Sequence, residues 1–470
     1  MTTHPVTSAP NGSLVAPALE AAAIGELRAD FRGSLLLPGD PGYEERRRVW
    51  NGTIDRHPAV IARCAGVVDV IRTVNFARER GLRLAVRGGG HNIAGSAVCD
   101  DGVVIDLSGM RSIRVDPARR TARVEGGATW GELDRETHAF GLATTGGVVS
   151  TTGVGGLTLG GGIGWLARSY GLASDNLVSV DVVTADGELR TASATEDPDL
   201  FWGLRGGGGN FGVATSLEYR LHPVREVIGG LLIYPYAAAR ELLRFYRDFA
   251  ASAPSSLTCF AVLGSSPDAQ PVAILAACYH GPAAEGERLL RPLRTFGSPL
   301  VDGIGPMPYP ALQSMLDQSY PPGLFHYWKS SFLTALDDDA IDTMVAQAAE
   351  RPTPMCHLVI EQMGGEVSRL DADATAFAHR HRPYNLLILG TAADRADVDA
   401  CTGWARRCWE AMQPSVAEGV YVNYIGTEGD EGSNRVREAY GAAKYERLAR
   451  LKTRYDPTNL FRVNQNIRPT

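Results

Sequence analysis

Residues 149–164 read VSTTGVGGLTLGGGIG. Glycines this dense, set among Thr and aliphatic residues without one charge, fit neither a core strand nor a surface helix; they mark backbone that comes close to another group. Two further clusters share the property, RGGGHN at 87–92 and RGGGGNFG at 205–212. Glycine makes up 53 of 470 residues, about 11% against a usual ~7%, and it clusters instead of following a collagen or linker pattern. Backbone N–H groups free of Cβ hindrance form nests for the oxygens of a pyrophosphate, so a dinucleotide is the first candidate ligand.

The flanking elements argue against a Rossmann unit. Gly207, Gly209 and Gly212 satisfy GxGxxG formally, but that fingerprint follows a strand and opens a helix. Here a predicted helix (EDPDLFWGLR) precedes it and a strand (VATSLEYRL) follows, so NAD(P) is not expected. Upstream, AVIAR from Ala59 reads as a strand, and Val67, Val68, Ile71, Val74 and Ala77 line one face of a helix closed near Gly81. The strand LRLAV then runs straight into RGGGHN. A strand GVVIDL, a hairpin about Asp116 and Pro117, and a helix from Trp130 to Phe140 lead into the second glycine stretch.

A chain of 470 residues exceeds one ordinary core, since cores stop growing near ~250–300 residues. The net charge of −7 is spread along the chain and suits neither nucleic acid nor an anionic membrane. Seven scattered cysteines without a CxxC pair form no readable disulfide framework or zinc ribbon, and fit a reducing compartment. The first 25 residues lack a basic n-region, and Pro17 and Glu20 interrupt their apolar run, so neither signal peptide nor membrane span is read and a cytoplasmic location is expected. His379 and His381 have no acidic or thiol partner at ligand spacing, so no metal is expected.

Beyond a boundary near His222 and Pro223 the glycine loops stop. Strands at GLLIYPY, LTCFAVL, PVAILAACYH, HLVIEQM and YNLLILG alternate with helices near Ala237–Ala250 and Ala283–Phe296. This reads as a sheet with helices on one face. The expected partition is an N-terminal arm to residue 50, a ligand-binding domain over 51–223, a substrate domain over 224–415 and a C-terminal element over 416–470. The charged run EGDEGSNRVREAYGAAKYERLARLK is most simply a loop and a solvated helix.

RGGGHN with GVVIDLSGM, then the run from 149 to 189, then DLFWGLRGGGGNFGVATSLEYRLHP, resemble the FAD-binding domain of the FAD-linked oxidases of p-cresol methylhydroxylase and vanillyl-alcohol oxidase type. YVNYIG and YDPTNLFRVNQNI resemble the C-terminal element of the berberine-bridge-enzyme-like branch. The resemblance implies an α+β fold: a two-lobed FAD-binding domain plus an α+β substrate domain with an antiparallel sheet covered by helices on one face. It implies that the loop from Arg87 through Gly88, Gly89 and Gly90 to Asn92 wraps the FAD pyrophosphate and that His91 is bonded to the flavin 8α-methyl carbon. Further FAD contacts are implied at Ser96, Thr151, Thr152, Gly153, Gly155, Gly156, Thr158, Gly160, Gly161, Gly162, Ile163, Gly164, Asn423 and Asn464, with Gly212 and Val213 at the adenine. Val149 holds the position of a second, cysteinyl attachment in some relatives, so a single attachment is expected. Thr152 takes the place that affects oxygen access, and Ile163 replaces the active-site tyrosine of many plant relatives.

Such an enzyme needs a C–H bond facing the flavin and a group that manages a proton. GVYVNYIG, taken as a strand, puts Tyr421 and Asn423 on one face and Val422 and Tyr424 on the other. The resemblance favours Tyr424 in the substrate site, as base or as passive wall. Glu361 and Gln362 of HLVIEQM face opposite ways, so at most one of them is a partner. Leu387 stands near where berberine-bridge-type members carry Glu or Gln, which argues against alkaloid ring closure. The expected activity is hydride transfer from a small organic substrate, hydroxyl to carbonyl first and amine or C–N oxidation second, with reoxidation by O2 or another acceptor. A flavin-binding protein without turnover is the rival.

Overall fold

The structure, a computed structural model, describes residues 21–432 and 434–470; the first 20 residues of the expected arm lie outside it. Val60–Arg63, Val103–Asp106 and Leu84–Arg87 pair in parallel, and helix Val67–Glu79 makes the crossover, laying Val70, Val74 and Ala77 on the sheet. Ser34–Leu36 joins the edge antiparallel to Val60–Arg63, so this part of the expected arm is a sheet strand. The loop 87–92 leaves this sheet at the carboxyl end of its strand, where open α/β sheets present ligands.

A second, antiparallel sheet runs in the order Ile113–Asp116, Thr121–Glu125, Val213–Arg220, Leu177–Val183, Leu189–Ser193. Between its strands the chain forms helix Trp130–His138, opened by Glu132 accepting the Thr129 N–H at 2.9 Å, and then the glycine stretch. The strand His222–Pro223 still pairs with Leu142–Ala143, whereas Glu226–Pro235 already belongs to the next sheet.

That third sheet is antiparallel and eight-stranded. Its six longest strands are Glu226–Pro235, Pro271–Tyr279, Leu257–Ser265, His357–Gln362, Tyr384–Ala392 and Phe325–Leu333, in this spatial order with Phe325–Leu333 at the edge. Side chains alternate across it. Leu232, Leu275, Ala261, Ile360, Leu386 and Ile388 are buried with helices Ala239–Ser252, Asp338–Ala349 and Val398–Ala411. The opposite face looks toward the glycine loops.

Two C-terminal expectations are corrected. Residues 422–424 form a 3-10 turn, not a strand: Tyr424 N–H donates to the Tyr421 carbonyl at 3.0 Å. The repeat is therefore about three residues rather than two, and Tyr421 and Tyr424 come to the same side with ring centroids 4.8 Å apart. The charged run is only partly solvated. Lys452, on helix Ala442–Tyr455, is wholly buried and donates to Asp456 at 2.6 Å and to the carbonyls of Asn210 and Phe461, each at 2.8 Å. Asp456 in turn accepts the N–H groups of Leu460 and Phe461, which pins the YDPTNLF tail against the third glycine loop. Asp456→Ala strands a buried ammonium, so unfolding free energy should fall by about 3–5 kcal/mol, measured as the shift in a urea or guanidinium midpoint.

Candidate active site

The two leading glycine loops meet backbone to backbone. A Cβ on Gly89 would lie 2.3 Å from the Gly153 nitrogen, and one on Gly153 would lie 2.3 Å from the Gly89 nitrogen. No other residue permits this approach. The joined loops form one wall of a cavity of about 790 Å³ whose far wall is the open face of the eight-stranded sheet.

His91 stands at this junction. Its Nε2 is 3.0 Å from Thr151 Oγ1 and its Nδ1 3.5 Å from Thr152 Oγ1. The ring lies parallel to Trp50, with centroids 5.1 Å apart, and Trp50 stacks in turn on His326 at 4.0 Å. Asn51 holds the stack together across the domains: its amide donates to the carbonyls of Ile93 and His326, and its oxygen accepts the His326 N–H. Burial pushes the His91 imidazole down to about 4, so it is neutral at physiological pH.

At the sheet side, Tyr424 Oη donates to Glu361 Oε1 at 2.9 Å and Asn385 Nδ2 donates to Glu361 Oε2 at 2.7 Å. Ser330 Oγ completes the chain to Asn385 at 3.0 Å. Burial raises the Glu361 carboxyl to about 7 against the opposing effect of these two hydrogen bonds. The Tyr424 phenol is pushed well above its ordinary value, first by burial and then by the nearby Glu361 charge. Tyr424 lines the cavity as expected, but its raised phenol keeps its proton and donates it in a hydrogen bond to Glu361, so the base reading loses ground to the reading of Tyr424 as part of the pocket wall. Tyr421 is also corrected to a supporting role, since its oxygen accepts the Gly162 N–H at 2.8 Å and Asn423 Nδ2 at 2.7 Å and it does not line the cavity. Gln362 faces away, accepting the Cys259 N–H and donating to the Ala250 carbonyl in the helical core.

The remaining expected residues divide by position. Gly88, Gly89, Gly90, Asn92, Ser96, Thr152, Gly153, Gly156, Ile163, Asn423 and Asn464 line the cavity with His91. Arg87 does not; its guanidinium donates to the Arg46 carbonyl. Thr151 lies outside the lining with its hydroxyl at His91 Nε2, and Thr158 is buried against the Tyr219 hydroxyl at 2.7 Å. The triplet Gly160, Gly161 and Gly162 receives protein: a Cβ on Gly160 would meet Asn423 at 2.0 Å, one on Gly161 would meet Phe377 at 2.7 Å, and Gly162 donates to Tyr421. Gly164 approaches the Gly146 carbonyl, Gly155 lies nearest Gly126, and Gly212 fits beside the Val183 carbonyl before the buried Val213.

Residues 58–193 match the family described as FAD binding domain, and residues 420–468 the family described as berberine and berberine like. An FAD-linked oxidoreductase of Dictyostelium discoideum is 34% identical over 95% of this chain and 97% of its own. (R)-6-hydroxynicotine oxidase of Paenarthrobacter nicotinovorans is 30% identical over 93% and 97%. The chain belongs to the berberine-bridge-enzyme-like FAD-linked oxidoreductases. The crystal structure of 6-hydroxy-D-nicotine oxidase from Arthrobacter nicotinovorans superimposes with a TM-score of 0.86 at 29% identity, covering 94% of this chain and 98% of that one.

The cavity of this FAD-linked oxidoreductase fits its cofactor. Gly156 and Gly209 line it, and a Cβ on either would meet no protein atom within 4 Å, so the missing side chains leave room for an occupant. Asn464 Oδ1, buried at the same wall, has no protein partner. Trp50, His326 and Trp328 were not legible as site residues, although FHYWKSSFL at 325–333 carries a period-2 pattern that places His326, Trp328 and Ser330 on one face. Gly156→Ala should keep the thermal midpoint of the FAD-free protein while lowering FAD content after gel filtration; Gly153→Ala should lower both, because its Cβ collides with backbone.

Proposed function

We propose that the enzyme oxidises a small organic substrate at a carbon next to an O–H or N–H group, with Glu361 accepting the proton. The observation that carries this is the Tyr424–Glu361 hydrogen bond inside the cavity, on a carboxyl whose burial brings it to about 7. A base poised near the working pH serves both the correct protonation state and the driving force of transfer. FAD supplies the hydride acceptor. Asn385 and Tyr424 fix the two carboxylate oxygens, Ser330 fixes Asn385, and the aliphatic sheet face keeps water from the acceptor.

The same reading gives His91 the role of the single covalent tether. Its neutral ring, held between Trp50 and the two threonine hydroxyls, is a competent nucleophile. Such a tether would replace one hydrogen of the flavin 8α-methyl group and the imidazole N–H, the two electrons released passing to O2 or another oxidant. Val149, at the cavity wall, supports one attachment rather than two.

Below pH 7 Glu361 carries its own proton and cannot take another; above it the carboxylate is free. Flavin reduction should therefore rise with pH through about 7 and level off, and Glu361→Gln should remove that limb and slow reduction by about 10²–10⁴, read by anaerobic stopped flow. The groups facing Glu361 are Tyr424, Tyr421 and Asn385, none of which changes charge near neutrality. Tyr424→Phe removes a bond that favours the ionised carboxylate, so the limb should move to higher pH while the alkaline plateau survives. His91→Ala should release its yellow chromophore on acid precipitation, with the parent keeping colour in the pellet; release from both removes the tether from His91.

A further inference from the structure

The cavity wall supplied by the sheet is mostly aliphatic, with Ser265, Trp328, His357 and Thr391 among its polar and aromatic members. Ile233, Ile274, Val262, Val359, Leu387 and Leu389 come from five strands, and the pairing register sets them on the same face as Glu361. Among the described residues that line the cavity, Glu361 is the only Asp, Glu, Lys or Arg. The lining imidazoles, His91 and His357, are both pushed by burial to about 4 and are uncharged at pH 7. Tyr320 Oη and His357 Nδ1 already bond each other at 3.2 Å.

We propose that the substrate is an apolar primary or secondary amine that enters as its ammonium form opposite Glu361, and that organic anions and oligosaccharides are excluded. The proposal rests on the assignment of Glu361 as proton acceptor. A lone carboxylate in an apolar wall is best compensated by a cation that brings its own charge. A carboxylate or phosphate substrate would meet no basic group here and one like charge. A sugar lying along the sheet would set hydroxyls against Ile233, Ile274, Val262, Val359, Leu387 and Leu389, stripped of water, with polar side chains such as Ser265, Tyr320 and Thr391 meeting only part of them.

Acid strength points the same way. An alkylammonium has a pKa near ~10, while an alcohol is about as weak an acid as water, ~15.7. The carboxylate is thus far better matched to an ammonium N–H than to an alcohol O–H. Glu361 takes one N–H proton and leaves the neutral amine. The α C–H bond then breaks with its electron pair passing to FAD, the nitrogen lone pair forms the C=N bond, and the iminium product is hydrolysed by water to a carbonyl compound and ammonia from a primary amine, or a smaller amine from a secondary one.

The test uses the holoenzyme under anaerobic conditions at pH 8 with a matched set: benzylamine, cyclohexylmethylamine, benzyl alcohol, benzoate and xylobiose. Flavin bleaching and spectral perturbation are titrated in the parent and in Glu361→Gln. The amines should act at concentrations at least about ten-fold below benzyl alcohol, benzoate and xylobiose should do nothing, and Glu361→Gln should abolish the preference. An alcohol, benzoate or sugar response equal to or stronger than that of the amines overturns the proposal, as does silence of both amines. Alcohol or sugar bleaching that still needs Glu361 discards the amine class and keeps the acceptor. Amine bleaching undiminished in Glu361→Gln keeps the class and discards the acceptor.

Discussion

The contact between Gly89 and Gly153 is the constraint from which the site follows. Two loops, one leaving a parallel sheet and one between the strands of an antiparallel sheet, approach so closely that a methyl group at either position overlaps backbone. That contact places His91, two residues after Gly89, beside Thr151 and Thr152, just before Gly153. Asn51 and Trp50 then carry the arrangement into the large sheet through His326. The C-terminal element completes it by docking Tyr421 and Asn423 into the space left by Gly160 to Gly162. Glycine therefore serves two separate purposes here: some glycines open room for a ligand, and others let protein segments meet.

The large sheet brings Glu361 to the cavity because one of its faces is left free of helices. A carboxylate on such a face sits among aliphatic side chains, and desolvation raises its affinity for a proton. Tyr424 and Asn385 moderate the rise without cancelling it. In water the same carboxylate would be a weak base near ~4.3. The fold thus sets the basicity, and the hydrogen-bond partners set the direction in which the oxygens point.

The loops, the helix and strand alternation and the α+β class were legible because glycine clustering and hydrophobic period are local signals. Glu361 against Gln362 was legible as an either-or, since a strand sends neighbours to opposite faces, and the structure puts Glu361 in the cavity. The hydrogen bond from Tyr424 to Glu361 was not. Alternation over GVYVNYIG assumes a strand, and a 3-10 turn replaces period two with period three, bringing two phenols together that the pattern separated. Trp50 escaped for a different reason: nothing near it in sequence says that a ring at the end of the N-terminal segment will lie between two histidines, one of them 276 positions later. Lys452 looked like one charge in a solvated run, and its burial depends on a partner and carbonyls supplied by the tail and the third glycine loop.

The most direct test of the account is infrared difference spectroscopy of a single anaerobic turnover at pH 8, with glutamate carboxyl groups isotopically labelled. As the flavin band bleaches, the C=O stretch of one newly protonated glutamic acid should appear in step with it, shift with the label and vanish in Glu361→Gln. Bleaching with no such band, or with a band that persists in Glu361→Gln, would contradict the assignment of Glu361 as the group that takes the proton.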